Sequence, residues 1–353
     1  TSKEQGERVK PMNQTNKAAT TGYLDVAVVG AGFGGIGLGV KLKHAGIDSF
    51  VIFEQASDVG GVWRDNVYPG AACDVPSHLY SFSFEPNPEW GNMFGGQEEI
   101  YAYLQGCAKK YDLRQKIQFN TTISGAKFDE VEGLWTLTDT SGQCYQARTC
   151  VMAIGALNVP LKPEFKGMAE FSGKVMHTAE WDKRYDLIGQ KVAVVGTGAS
   201  AIQVVPKIQS RVKSLTLFQR TPPWVLPKFN RKITETESTL YKKIPFLQSL
   251  YRKSQYALFE SFYPMFLWDT PASKVLDAAG RACINAQIKD PELRNKVTPN
   301  YRLGCKRVLL ASDYYPALAK ENVNVVASGV KEMNAKGIVD SDGNQHDVDA
   351  IVL

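Results

Sequence analysis

The sequence predicts an α/β chain with two Rossmann-like dinucleotide-binding domains and a helical insert. Two observations carry the domains: a glycine-rich turn follows an apolar, β-branched run near residue 30, and the same arrangement returns near residue 196. A third, the aromatic-rich helical stretch over 232–298, carries the insert.

The first run is LDVAVV, residues 24–29, as expected for a buried parallel strand. Gly30-Ala31-Gly32-Phe33-Gly34-Gly35 follows, then the helix-like IGLGVKLKHAG and a second strand, SFVIFE, ending at Glu54. Gly30 allows the tight turn, Gly32 lets the backbone approach a pyrophosphate, and Gly35 lets helix and strand pack closely. The helix N-terminus offers N–H groups and a positive dipole end to phosphates. Glu54 stands where an acid accepts hydrogen bonds from a ribose.

The second run is KVAVVG, residues 191–196, with the turn Gly196-Thr197-Gly198-Ala199-Ser200-Ala201. The next strand, SLTLFQR, ends at Arg220, followed by Thr221. A carboxylate at that position repels a 2′-phosphate, whereas an arginine pairs with it bidentately. The first site is therefore expected to take FAD and the second NADPH. The lesser alternative for Arg220 is a solvated strand-end charge. Two such folds in one chain imply hydride transfer between two cofactors.

Composition narrows the alternatives. Hydrophobic residues make up 44% and charged residues 22%, values of an ordinary globular chain and not of a disordered or fibrous one. With 41 basic and 36 acidic residues the net charge is +5, too small and too dispersed to point to nucleic acid. Cys73, Cys107, Cys144, Cys150, Cys283 and Cys305 contain no C-x-x-C pair, so neither a disulfide framework nor a metal site is expected. The N-terminal 1–21 is polar without an apolar signal core and reads as a disordered tail, which points to the cytoplasm. No run of about 18 apolar residues exists, so no stable membrane insertion is expected.

Between and after the turns lie GGVWRDNVYPGAACDVPSHLYSFSF (60–84) and FSGKVMHTAEWD (171–182). With these the chain resembles the type I Baeyer–Villiger monooxygenases, over roughly residues 21–353. The family pattern F-x-G-x-x-x-H-x-x-x-W-(P/D) is matched by Phe171, Gly173, His177, Trp181 and Asp182. The resemblance implies an NADPH- and O2-dependent flavoprotein that converts ketones to esters or lactones through a flavin C4a-peroxide, with a small-molecule ketone and molecular oxygen as partners. It implies that Arg307, in Gly304-Cys305-Lys306-Arg307, lies over the flavin and stabilises negative charge there, with Asp74 as its acidic partner. Lys306 then joins Arg220 and Thr221 on the 2′-phosphate. By the resemblance, Glu54, Val62, Trp63, Asp74 and Tyr80 match flavin-contacting positions, Ile123 matches a backbone contact to adenine, and Thr197 to Gln203, with Thr197, Gly198, Ala199, Ser200 and Gln203 as the candidate contacts, cover the NADPH phosphate turn. From the residues alone, Lys306-Arg307 reads first as an ordinary surface pair. In the family the 171–182 stretch couples domain movement to the cofactor; His177 can equally be a satisfied structural histidine.

Three rivals stay open at this point, one of them a non-catalytic nucleotide-sensing protein, which would keep the glycine turns but need not keep Arg307 over the flavin. A flavin monooxygenase acting on nitrogen or sulfur is opposed by Trp181-Asp182 and by Cys305-Lys306-Arg307. A pyridine-nucleotide disulfide reductase needs a redox cysteine pair, and the closest, Cys144 and Cys150, has five residues between its members.

The expected organisation is a FAD-binding domain at 22–156, an NADPH-binding domain at 157–231 and 299–325, the helical insert at 232–298, and a return to the FAD-binding domain at 326–353, incomplete and truncated at its C-terminus. The aromatic stripe of the insert, Phe246, Leu250, Tyr256, Phe259 and Phe262, is expected to be a core face, with a membrane-surface or substrate-entry role as the alternative.

Overall fold

The computed structural model describes residues 22–264 and 271–353; the expected tail at 1–21 and the part of the insert at 265–270 lie outside the described residues. One compact unit takes the described residues up to Asp65 with Ile100–Val159. The other takes Asn66–Glu99 with Pro160–Leu353.

The first unit is built on a six-stranded sheet ordered β3-β2-β1-β6-β5-β4. Its strands are β1 (Leu24–Val29), β2 (Phe50–Phe53), β3 (Ile117–Gln118), β4 (Ile123–Asp129), β5 (Leu134–Asp139) and β6 (Cys144–Met152). β1 pairs in parallel with β2 and β6, and β2 with β3. All four residues of β2 are buried, which is why it reads as an unbroken apolar run. β4, β5 and β6 form an antiparallel meander. The turn expected at Ser141-Gly142 joins β5 to β6, where Asp139 Oδ1 accepts from Ser141 N (2.8 Å) and Gln143 N (3.0 Å).

The second unit carries β7 (Lys174–Met176), β8 (Lys191–Val195), β9 (Ser214–Phe218), β10 (Val225–Leu226), β11 (Leu309–Leu310), β12 (Val323–Val326), β13 (Val330–Asn334), β14 (Gly337–Asp340), β15 (Gln345–Asp347) and β16 (Ala350–Val352). A parallel sheet runs β12-β9-β8-β16-β7, and β13-β14-β15 form a separate meander.

The structure corrects two boundaries. The end of the chain does not return to the first unit: β16 inserts between β7 and β8, with Ile351 opposite both Val175 and Ala193. Its three residues are fully buried, a condition only a strand with a neighbour on each side and covered faces meets. Residues 66–99 also belong to the second unit. They are irregular, so other loops satisfy their backbone groups: Cys73 N donates to Gly95 O, and Met93 N to Arg231 O.

The insert is helical over Glu235–Lys243, Pro245–Ser261, Pro271–Gln287 and Pro291–Val297. Thr234 and Glu237 form a capping box at the first of these, and Asp290 caps the last. The aromatic stripe is not a core face. Phe246 is 70% exposed, Leu250, Tyr256 and Phe259 are exposed, and Phe262 is half-buried. Helix Pro245–Ser261 docks by its polar side, burying Gln248 and Gln255. Between them Arg252 Nη1 donates to the carbonyls of His78 (2.7 Å), Leu79 (3.0 Å) and Ser81 (3.1 Å), and Gln248 Nε2 donates to Asn87 O (2.7 Å). A loop that presents unpaired carbonyls selects donors over apolar side chains. Among the described residues no helix is long and apolar enough to cross a membrane.

His78 lies under this helix, buried between Tyr241 and Tyr251. Burial lowers its pKa from 6.5 to about 4; Glu237 opposes that shift, and Arg231 and Arg252 reinforce it. The unfolded chain therefore takes up a proton first as pH falls. Stability is expected to decline from about pH 6.5 towards pH 4, by at most about 2–3 kcal/mol. Thermal melts of the parent and of His78→Gln across that window check this: the substitution should flatten the slope, and an unchanged slope contradicts the assignment.

Candidate cofactor and active site

The first glycine turn is shaped by close backbone contact. Gly30 adopts φ +102°, and a Cβ there would sit 2.6 Å from Ala153 O; one on Gly35 would sit 1.9 Å from Gly30 O. These positions exclude side chains on opposite grounds, one from the strand side and one from helix packing. Gly61, at φ +53°, closes over Gly32: a Cβ on it would meet Gly32 Cα at 3.4 Å. Gly34 is exposed at the helix start. Helix Phe33–His44 has no side-chain cap and no acid in its first turn. An uncapped helix end with glycine-lined approach fits a dinucleotide pyrophosphate.

Glu54 stands at the end of β2, buried. Its Oε2 accepts from Ala31 N (2.8 Å), and its Oε1 accepts from Ala56 N (2.9 Å) and Arg64 Nη1 (3.2 Å). The carboxylate is fixed against the glycine turn, with lone pairs left for a ribose hydroxyl. Arg64, which the sequence did not single out, also forks onto Asp65. Val62 and Trp63 open the single helical turn that carries it. Ile123 starts β4 two residues after Thr121, whose N–H donates to Glu54 O (2.9 Å). The segment proposed for adenine therefore lies beside the acid.

The second turn has the same design in the second unit. Gly196 adopts φ +101°, and a Cβ on Gly196 or Gly198 would meet nothing within 4 Å, so the approach is open. Helix Ala199–Ile208 again lacks a side-chain cap and a first-turn acid. Ala201 replaces the third glycine and is buried. Thr197 Oγ1 donates to Thr221 O (3.4 Å), which ties the turn to the segment after β9. Arg220 and Lys306 are exposed; the Lys306 ammonium lies 4.8 Å from the Tyr301 ring centre.

Asp74 and Arg307, 233 positions apart in the sequence, come together: Arg307 Nη2 is 3.6 Å from Asp74 Oδ2. Asp74 has a nearer partner that the sequence did not reveal, Lys228, whose Nζ is 3.2 Å from Oδ1. Tyr68, also missed, donates from its hydroxyl to Gln203 Oε1 (2.9 Å), and Gln203 Nε2 donates to Ala72 O (3.0 Å). Burial pushes the Tyr68 phenol up and the Asp74 charge adds to the effect; Ser200 and Arg307 oppose it. Gly70 makes this packing close: at φ +85°, its Cβ would lie 2.6 Å from Gln203 O. Tyr80 sits half-buried in the loop that Arg252 clamps.

The 171–182 stretch builds the sheet edge. Phe171 enters the core with Phe218, Ile338 and Ile351. A Cβ on Gly173 would lie 2.2 Å from Asp349 O and 2.6 Å from the Phe171 ring. His177 Nδ1 accepts from Ala179 N (3.0 Å), which makes His177 the cap of a short 3-10 turn. Its pKa is lowered, first by burial. Trp181 packs on the core with Tyr68 and Tyr185. Lys174 Nζ, 3.0 Å from Asp182, heads the contacts that hold that carboxyl down at about 2. Every position of the pattern thus has a structural task. Gly173→Ala is expected to destabilise the protein by about 2 kcal/mol or more through overpacking against immovable backbone. A denaturant midpoint equal to the parent's contradicts that reading.

All six cysteines are free. Cys144 and Cys150 stand at positions 1 and 7 of the nine-residue β6. At about 3.3 Å per residue they are roughly 20 Å apart and cannot form a dithiol pair.

The chain is similar to several known proteins. A family model described as pyridine nucleotide-disulphide oxidoreductase matches residues 27–236. A Baeyer–Villiger monooxygenase of Pseudomonas aeruginosa is 48% identical over 335 residues, 95% of this chain and 64% of the relative. One of Streptomyces coelicolor is 48% identical over 331 residues, 94% of this chain and 64% of the relative. The chain thus spans 64% of the length of these curated relatives. Among solved structures, an oxidized steroid monooxygenase bound to NADP superposes with a TM-score of 0.84 at 32% identity, covering 94% of this chain and 71% of that one. An open form of cyclohexanone monooxygenase gives 0.82 at 32% identity, covering 94% and 73%.

Proposed function

The chain belongs to the Baeyer–Villiger monooxygenases, on the fold of the pyridine nucleotide-disulphide oxidoreductases, and from that premise we propose that it serves NADPH- and O2-dependent conversion of ketones to esters or lactones. Bound FAD would supply electron storage and oxygen activation, with NADPH as the hydride donor. The Gly30–Gly35 turn holds the FAD pyrophosphate and Glu54 a ribose hydroxyl, with Val62, Trp63, Tyr80 and the backbone of Ile123 as further contacts. The Thr197–Gln203 turn holds the NADPH pyrophosphate, and Arg220, Thr221 and Lys306 the 2′-phosphate. Arg307 brings a guanidinium that keeps its proton to negative charge developing at the reaction centre, and Asp74 orients it.

The observation that carries this reading is the meeting of Asp74 with Arg307, at 3.6 Å, while the arginine stays largely exposed. A surface basic pair has no need of a half-buried carboxylate from a distant loop. The separation of Cys144 from Cys150 weighs against a disulfide reductase. The Trp181-Asp182 pair weighs against oxygenation of nitrogen or sulfur. A cytoplasmic location goes with this reading, since all six thiols are free.

The test is stopped-flow absorbance. Flavin is reduced anaerobically with NADPH, then mixed with oxygenated buffer with and without a ketone. A long-lived absorbing species that decays faster on addition of ketone, with ester formed, is the expected result. Immediate return to oxidised flavin with hydrogen peroxide released, and no ketone effect, overturns it.

A further inference from the structure

We infer that Lys228 is a positioning residue of this site: its ammonium is the principal counter-charge of Asp74, and it thereby leaves Arg307 free to move away from the carboxylate. This inference rests on the role proposed above for the Asp74–Arg307 pair.

The three charges are held very differently. Lys228 Nζ is 3.2 Å from Asp74 Oδ1 and donates to Cys73 O at 2.8 Å. It lies 5.2 Å from the centre of the Phe94 ring, a third favourable contact for a cation. The Lys228 side chain is 12% exposed and that of Asp74 13%. The lysine backbone is pinned as well: Lys228 N donates to Ser312 Oγ (3.0 Å), and Ser312 Oγ donates to Lys228 O (2.9 Å). Among the described residues Arg307 has no such set of contacts. Its nearest nitrogen is 3.6 Å from Asp74, beyond a normal hydrogen bond, and its side chain is 67% exposed.

A mostly buried carboxylate without a counter-ion recruits one, because leaving it unpaired is costly. If Arg307 were the only cation available, it would be drawn onto Asp74 in a bidentate clasp, the strong geometry for that pair. Lys228 removes that pull. It takes Oδ1 and fixes the 73–74 backbone, leaving only Oδ2 to Arg307. The guanidinium keeps a loose, orienting contact that it can break without stranding a buried charge. The sequence hides this arrangement because Lys228 lies 154 positions from Asp74, in no recognised pattern.

The experiment compares crystal structures and reaction coupling of the flavin-loaded parent, Lys228→Met and Lys228→Arg. In Lys228→Met, Arg307 is expected to close onto Asp74 to about 2.8–2.9 Å, the distance of a charge-assisted pair. The fraction of NADPH electrons appearing as ester should then fall several-fold in favour of hydrogen peroxide, with flavin content unchanged. Lys228→Arg restores a cation on Asp74 and should return Arg307 to its loose position and recover part of the coupling. Arg307 in its parental position in Lys228→Met overturns the inference, as does coupling equal to the parent's. Should Lys228→Met not fold, Lys228→Arg decides: its new guanidinium must take Asp74 while Arg307 stays apart, and a closed Asp74–Arg307 pair there also overturns it. The position of Arg307 is read without substrate turnover. A parent that forms no ester therefore refutes the proposed function and leaves the Lys228 inference to be judged on geometry.

Discussion

Arg307→Ala is expected to keep bound flavin and NADPH-driven flavin reduction while ester formation falls by about 100-fold or more. Loss of one preorganised donor to developing negative charge costs roughly 3–4 kcal/mol. The fold should tolerate the change, because the side chain is exposed and Asp74 retains Lys228 as its nearer cation. That combination separates a role in oxygenation from a role in assembly. Arg307→Lys should recover only a minor part, since an ammonium keeps the charge but loses the planar fork. Rapid-mixing measurement of the reductive half-reaction, with product and peroxide quantified at steady state, reads both quantities. Ester formation retained in Arg307→Ala would sink the role assigned to this residue. Loss of flavin reduction together with product would move the arginine to nicotinamide binding.

The two nucleotide folds were legible because their signals are local. A buried strand, a glycine turn and a helix lie within some 20 consecutive residues, and the physics that shapes them lies there too. Gly30 and Gly35 are glycines because of contacts with Ala153 O and Gly30 O. Sequence spacing alone carries the second of these. Long-range pairing was less legible. Ala350–Val352 is a generic apolar strand, and nothing in three residues states whether it joins β7 and β8 or the other sheet. Residues 66–99 have almost no periodicity, so their allegiance is decided by side chains such as Arg252 and Lys228 that reach them from far along the chain. The insert misled for a related reason. Amphipathicity implies the apolar side inward, whereas the loop at 78–87 offers carbonyls that Gln248 and Arg252 meet, so the face that buries Gln248 and Gln255 turns inward. The charge cluster itself was half legible. Asp74 and Arg307 have named roles in recognisable motifs; Tyr68 lies in the same 60–84 stretch as Asp74 without a role assigned to it, and Lys228 lies in no motif.

Arg220→Ala is expected to raise the KM for NADPH by about 30–100-fold, the loss of roughly 2–3 kcal/mol from one charge-assisted contact, and to leave NADH almost unaffected. The residue stands just beyond β9, next to Thr221, to which Thr197 ties the glycine turn. Gly329 lies close enough to Arg220 that an added Cβ would meet its Cδ at 3.4 Å, so the arginine runs alongside that backbone with its charge exposed. Its removal should therefore cost little stability. The first unit supplies the stronger version of the test. There the residue just past the strand is Glu54, whose carboxylate serves a ribose hydroxyl and repels a phosphate; its counterpart here is Gln219, one position before Arg220, since Gly30 N donates to Phe53 O as Gly196 N does to Phe218 O. Arg220→Glu should then invert the preference towards NADH, whereas Arg220→Ala only erases it. Lys306→Ala should lower NADPH affinity by a smaller factor, because its ammonium is also engaged over the Tyr301 ring. Steady-state kinetics with both nucleotides, reported as the ratio of their kcat/KM values, measures all three. A ratio that Arg220→Ala and Arg220→Glu both leave unchanged means that the second site reads the 2′-phosphate by some group other than this arginine.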